Sequence, residues 1–229
     1  MRNTLSLIAA AAALATASTA NAGTVLATDL LGGPQAIDGA TTVSLSGSAA
    51  LGAKTVNGIT AVGVTGGAAG DEIDIGESMT ASFSSALYVG NVQLAYLFDG
   101  PEYNDVNEVA QLTATLFGGG TLTSTLTAVG ATTALASMGS AAIVPGQDAD
   151  SVGAGLWSWD NPFGNALVTS ITFEAIPGLP APGCGSVCTD QSDYSLYSVT
   201  AAVPEPGTYA LMVAGLAAVG FIARRRRRA

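Results

Sequence analysis

Apolar and polar side chains alternate with a period of two along much of the chain interior. Val92, Leu94, Tyr96 and Phe98 are interleaved with Gln93, Ala95 and Leu97. Leu112, Ala114 and Leu116 flank Thr113 and Thr115, and Ile171, Phe173 and Ala175 flank Thr172 and Glu174. This spacing places one set of side chains on a single face, as a strand with one buried side requires. The same pattern predicts strands over 41–45, 55–64, 79–83, 121–129 and 194–199. The run TLTSTLTAVGATT is Thr-rich, which favours strand and disfavours helix. Turn clusters separate these segments: Leu31-Gly-Gly-Pro, Thr65-Gly-Gly-Ala, Phe117-Gly-Gly-Gly and Asp160-Asn-Pro-Phe-Gly. About nine or ten short strands at such spacing predict an all-β fold, a β-sandwich of jelly-roll type. Residues 131–164 are less regular, and 131–142 reads as either a strand or a short helix. Large apolar side chains are few, so many inward positions must be Ala, Val or Thr.

Both ends depart from this pattern. At the front, Arg2 precedes an apolar or small-residue stretch over 5–17, and Ala20-Asn21-Ala22 follows. That order predicts a signal peptide, with Ala20 and Ala22 read by signal peptidase and cleavage after Ala22. The protein is then exported, where disulfides are permitted. At the back, Pro204 and Pro206 block regular structure, and residues 209–223 run without a charge. Those fifteen residues give about 22 Å of helix, short against a hydrocarbon core of about 30 Å. Arg224, Arg225, Arg226, Arg227 and Arg228 would hold that end in the cytoplasm. A transmembrane helix of this kind stops transfer and leaves the body outside.

Charge sharpens the division. Seven residues are basic and 17 are acidic, and there is no histidine. Between the two ends the only basic residue is Lys54, and all the acids but Glu205 lie there, so the body carries 16 acids against one cation, a net charge of −15. Such a body is repelled by nucleic acid and by anionic lipid, which excludes a nucleic-acid partner. Without histidine, neither a Ser-His-Asp nor a Cys-His catalytic set can be assembled.

The Pro204-Glu205-Pro206 triplet, the short apolar helix and the terminal arginine cluster, in that order, resemble the PEP-CTERM sorting signal of Gram-negative bacteria. The resemblance covers the last 26 residues or so. It implies recognition by an exosortase, removal of the tail near the triplet, and transient anchoring in the inner membrane before release to the cell surface or extracellular space. It also implies association with exopolysaccharide and biofilm matrix. The chain then divides into a signal peptide (1–22), an exported β-sandwich domain (23–203) and a sorting signal (204–229).

Four groups within the body carry candidate chemistry. Cys184 and Cys188 sit in a Pro/Gly-rich stretch, and in an exported protein they are expected to form a disulfide. The rival, a thiol metal site, lacks histidine and a second pair. Asp71-Glu72-Ile73-Asp74-Ile75-Gly76-Glu77 reads mainly as a charged, solvated edge strand. Asp99, Glu102, Asp105 and Glu108 crowd one loop with Asn104 and Asn107, and this oxygen-rich set is the candidate for Ca²⁺. Gln147-Asp148-Ala149-Asp150 is a thinner version. Trp157 and Trp159 share one face of a short segment beside Asp160 and Asn161, which suits either sugar stacking or plugging of a core.

No catalytic motif is present, so the expected role is that of a non-enzymatic cell-surface or extracellular-matrix protein. The alternative is a carbohydrate-binding module using Trp157, Trp159 and the acidic loops, with Ca²⁺ assisting. A glycosidase built on a carboxylate pair is a third reading, although no pair stands out among the acids.

Overall fold

The first strand, β1 (Thr24–Leu26), lies against the last, β14 (Asp193–Ala202), so the two ends of the described chain meet in one sheet. The computed structural model describes residues 22–100, 105–150, 152–181 and 192–202. The sorting triplet, the arginine cluster, Ala20, Cys184, Cys188 and Glu102 lie outside these residues. Ala22 is described and exposed.

Between β1 and β14 come a single helical turn, α1 (Ala27–Leu30), then β2 (Gln35–Ala36), β3 (Thr42–Gly47), β4 (Leu51–Val56) and β5 (Ile59–Gly67). There follow β6 (Gly70–Asp74), β7 (Met79–Ala95), β8 (Asn107–Leu116), β9 (Thr121–Gly130) and β10 (Thr133–Ala136). β11 (Ser140–Ile143), β12 (Trp157–Asp160) and β13 (Leu167–Leu179) complete the set. Among the described residues the protein is therefore all-β apart from one turn of helix, and all sheet pairings are antiparallel apart from an isolated bridge between Ile75 and Ala175.

The organising element is β7, 17 residues long. Its first half pairs with β3 on one side, Val43 opposite Phe83, and with β13 on the other, Phe173 opposite Met79. Its second half pairs instead with β12, Trp157 opposite Leu94, and with β14, Val199 opposite Val92. The change falls where β13 moves from Val168 to Ser170 while its partner on β7 moves from Leu87 to Ser82. That bulge lets one strand leave a layer and enter the next. One layer runs β10-β9-β8-β13-β7-β3, the other β12-β7-β14-β6-β5-β4.

Apolar side chains from both layers fill one core. Trp157, Trp159, Tyr96, Tyr194, Phe163 and Phe173 are its largest members, with Ala and Val at many remaining positions. The Tyr194 hydroxyl on β14 reaches the carbonyls of Gln111 on β8 (3.3 Å) and Glu174 on β13 (3.2 Å), so the layers are joined by a polar contact inside an apolar interior. Burial holds this phenol well above its ordinary pKa.

Several segments differ from the sequence reading. The stretch 55–64 is two strands, because Asn57 and Gly58 both take positive φ (48° and 83°) and close a two-residue hairpin between β4 and β5. The stretches 79–83 and 92–98 are not separate strands at both ends: the first is continuous with Ala95, and the second stops there because Tyr96 turns to φ 66°. Residues 131–142 form β10 and the start of β11, not a helix. Gly63 on β5 is required by close packing, since a Cβ there would come within 2.4 Å of the Asp71 carbonyl and the Glu72 Cα.

Candidate functional site

The fold draws together acids that lie far apart in sequence. β6 is not an edge strand: it pairs with β5, Glu72 opposite Val64, and with β14, Tyr194 opposite Ile73 and Asp193 opposite Asp74. The expectation of a solvated edge is thus corrected. Ile73 enters the core, and Glu72 is also buried, at 4% exposure. Asp74 and Glu77 shape the turns around it: Asp74 Oδ2 accepts from the Ala69 amide (3.2 Å), and Glu77 Oε2 accepts from the Asp74 amide (3.0 Å).

Glu72 opens onto a cavity of about 370 Å³. Its other walls come from Lys54 and Val56 on β4, Ala69 in the β5–β6 turn and Phe98 beyond the end of β7. Asp105 lines it from the approach to β8, Glu108 from the start of β8 itself, and Asp193 from the start of β14. Ser192 fixes the last two against each other, because its hydroxyl accepts from the Val109 amide at 2.7 Å. Four carboxyl groups therefore face one cavity holding a single ammonium group.

Lys54 serves one side of this cluster. Its Nζ donates to Glu72 Oε1 and to the Ala69 carbonyl (2.8 Å). It lies 6.0 Å from the centre of the Tyr96 ring, within reach of a cation–π contact. The Tyr96 hydroxyl in turn meets the carbonyls of Lys54 (2.6 Å) and Ile59 (2.8 Å), which braces the hairpin carrying the lysine. Burial pushes that phenol up to about 12.

The other side is short of positive charge. Glu72 Oε2 is buried and meets no hydrogen-bond donor of fixed position. Its neighbour is Asp193, whose pKa is raised far above the carboxylate range, first by burial and then by its hydrogen bond to Glu72 and the charge of Glu72. A hydrogen bond between two carboxyl groups requires a proton on one of them, and these shifts place it on Asp193. Glu108 is fully buried and accepts from the Phe98 amide, and its pKa is also raised well above normal, first by burial and then by the charge of Asp193. The cavity thus holds a proton on Asp193 where an exposed carboxyl would hold none at neutral pH.

Of the four candidate calcium ligands, Asp105 and Glu108 reach this cavity, while Glu102 lies outside the described residues. Asp105 Oδ1 accepts from the Val106 amide (2.7 Å), and Asn107 Oδ1 accepts from the Gly100 amide (2.9 Å), so these oxygens shape the loop at Asp99 and Gly100. Among the described residues, no group of three or more acids is arranged to hold a metal ion. Asp150 in the thinner cluster caps its own turn, accepting from Val152 and Gly153, both at 2.9 Å.

The sugar-contact role of Trp157 and Trp159 is corrected. Both are 0% exposed, and a ring with neither face in solvent cannot stack on a sugar. Their indole N–H groups donate to the carbonyls of Leu97 (2.8 Å) and Met138 (2.7 Å), so each is a satisfied core tryptophan. Sequence reasoning missed Lys54 and Asp193 as site residues. The isolation of Lys54 as the one body cation was the available signal; nothing local marks Asp193.

The body is thus an all-β domain of two layers with a buried acidic cavity. Residues 202–228 match the family described as the PEP-CTERM protein-sorting motif, and the chain is a protein that carries this motif. The motif implies recognition by an exosortase, export, and membrane-anchored sorting before surface display. No curated protein and no solved structure matches the chain. Among the described residues no helix is long and apolar enough to cross a membrane.

Proposed function

We propose that the mature chain is a non-catalytic, exported protein of the cell surface or extracellular matrix, associated with exopolysaccharide and biofilm. The observation that carries this is the sorting motif, whose match begins at Ala202, where β14 ends. The folded body and the address abut in sequence, so trimming near Pro204-Glu205-Pro206 leaves the domain entire. In this reading signal peptidase and exosortase are partners during export, and the inner membrane holds the chain only transiently. The cavity carboxyls support a non-catalytic role, because Lys54 and the Phe98 amide already engage two of them. The jelly-roll class of the sandwich belongs to the same proposal, supported by the pairing of first and last strands.

Intact-mass analysis of the protein from its host tests this directly. The expected species starts at Gly23, lacks Arg224–Arg228, and is two hydrogens lighter if Cys184 and Cys188 are joined. A cell-associated species retaining both ends would overturn the reading, and turnover of polymeric glycans would overturn its non-catalytic part. A carbohydrate-binding role, if present, would rest on the acidic cavity and not on the two tryptophans.

A further inference from the structure

The cavity offers acceptors without matching donors. Its polar lining is four carboxyl groups and one lysine, and that lysine is already committed to Glu72 Oε1 and the Ala69 carbonyl. Glu72 is 4% exposed, yet its Oε2 has no hydrogen-bond partner among the described residues. A buried carboxylate oxygen left in this way costs free energy unless positive charge is brought to it. A neutral polyol would supply hydrogen bonds but no charge. A multivalent metal would need three acids poised around one point, and no such group exists among the described residues. A primary ammonium meets both demands, with three N–H donors and one charge. Lys54 shows how the site receives such a group, since its ammonium sits against the other oxygen of the same Glu72. The volume of about 370 Å³ lies at the small end of ligand sites, enough for a group of monosaccharide size or less, and Val56 and Phe98 supply an apolar wall.

We propose that this cavity binds the primary ammonium of a small polar amine, seated against the buried, unpartnered Oε2 of Glu72. The ammonium takes the place of the proton on Asp193, which leaves to solvent, so the net charge of the site is conserved. The groups facing the exchanged proton are Glu72 and Asp74 on β6, Asp193 on β14, Asp105 before β8, Glu108 on β8, and Lys54 on β4. Because binding expels a proton, affinity rises as pH rises, by about tenfold per unit for one proton released. The inference concerns the ligand of the body and stands whether or not the chain is trimmed as proposed above.

The test is titration calorimetry on the full chain in detergent at pH 6.5, in two buffers of different ionisation enthalpy. The probes are glucosamine, methylammonium, glucose and CaCl₂. The expected result is binding of glucosamine and methylammonium with about one proton released, no heat from glucose, and at least tenfold weaker amine binding in both Glu72→Gln and Asp193→Asn. Silence from both amines, equal binding of glucose, or Ca²⁺ uptake that blocks glucosamine each overturns the proposal. So does undiminished amine binding by either variant. Circular dichroism identifies a misfolded variant, and the other variant and the glucose arm then decide.

Discussion

The buried acids make this protein lose stability as pH rises from 5 to 7. Asp193 keeps its proton above neutral pH in the folded state, through burial and then through Glu72. In the unfolded chain the same carboxyl ionises near pH 4. A raised folded value contributes stability that is full below the unfolded value and is lost as pH climbs towards the folded one. The window therefore opens just above pH 4 and spans neutrality. Each retained proton gives a slope of about 1.4 kcal/mol per pH unit, or about 2.7 kcal/mol between pH 5 and 7. Glu108, raised by burial and by Asp193, adds in the same direction. Self-repulsion of a body with charge −15 also grows with pH, but salt screens it over about 10 Å at 0.1 M, whereas a buried proton is indifferent to salt. Urea unfolding at pH 5 and pH 7, in 0.05 M and 0.5 M NaCl, separates the two. Asp193→Asn keeps a donor for Glu72 without a titrating proton, so its slope is shallower by about 1.4 kcal/mol per unit. A wild-type stability that is flat or rising over this interval at high salt refutes the reasoning, as does an unchanged slope in the variant.

Three further outcomes follow from the packing. Trp157→Ala or Trp159→Ala costs about 3–5 kcal/mol by chemical denaturation, since each empties a fully buried site and orphans a carbonyl. Gly63→Ala forces β5 from β6, because its Cβ meets backbone and not a movable side chain; about 3 kcal/mol and a lower melting temperature are expected. Lys54→Met leaves both Glu72 oxygens without a fixed donor and costs about 2 kcal/mol, reduced from the fully buried case because the lysine is partly exposed; adding Glu72→Leu to Lys54→Met recovers most of it.

The sequence exposed the strands better than their partners. Period-two runs over 112–116 and 171–175 became parts of β8 and β13, since one face of each meets the core and polar side chains cover the other. The Asn57-Gly58 turn was legible in principle, as that dipeptide favours the double positive φ a tight hairpin needs. The fusion of 79–83 with 92–95 was harder, for Gly90 lies between them and the bulge opposite Ser170 is set by β13. Trp157 and Trp159 were correctly placed on one strand face, but periodicity cannot say which side of a sheet is wet. The cavity was the least legible feature. It depends on Asp193 pairing opposite Asp74, a contact across more than a hundred residues between two segments that each look like ordinary polar strand ends.

That convergence bears on why so acidic a body folds around carboxyl groups at all. With one cation available, the chain cannot pair each buried acid with a base, and two routes remain: expel the acids to solvent, or bury them as acids. Asp38 and Asp150 take the first route, and backbone amides serve their exposed carboxylates. Asp193 takes the second, keeping a proton in place of a cation, and burial pushes Glu108 the same way. Lys54 goes to Glu72, which is 4% exposed and has apolar Val64 opposite it on β5. A protein stabilised by held protons is firmest in an acidic surrounding. It also stays responsive to an ammonium small enough to enter the cavity and displace a proton, so its stability and its ligand chemistry are governed by the same three residues: Lys54, Glu72 and Asp193.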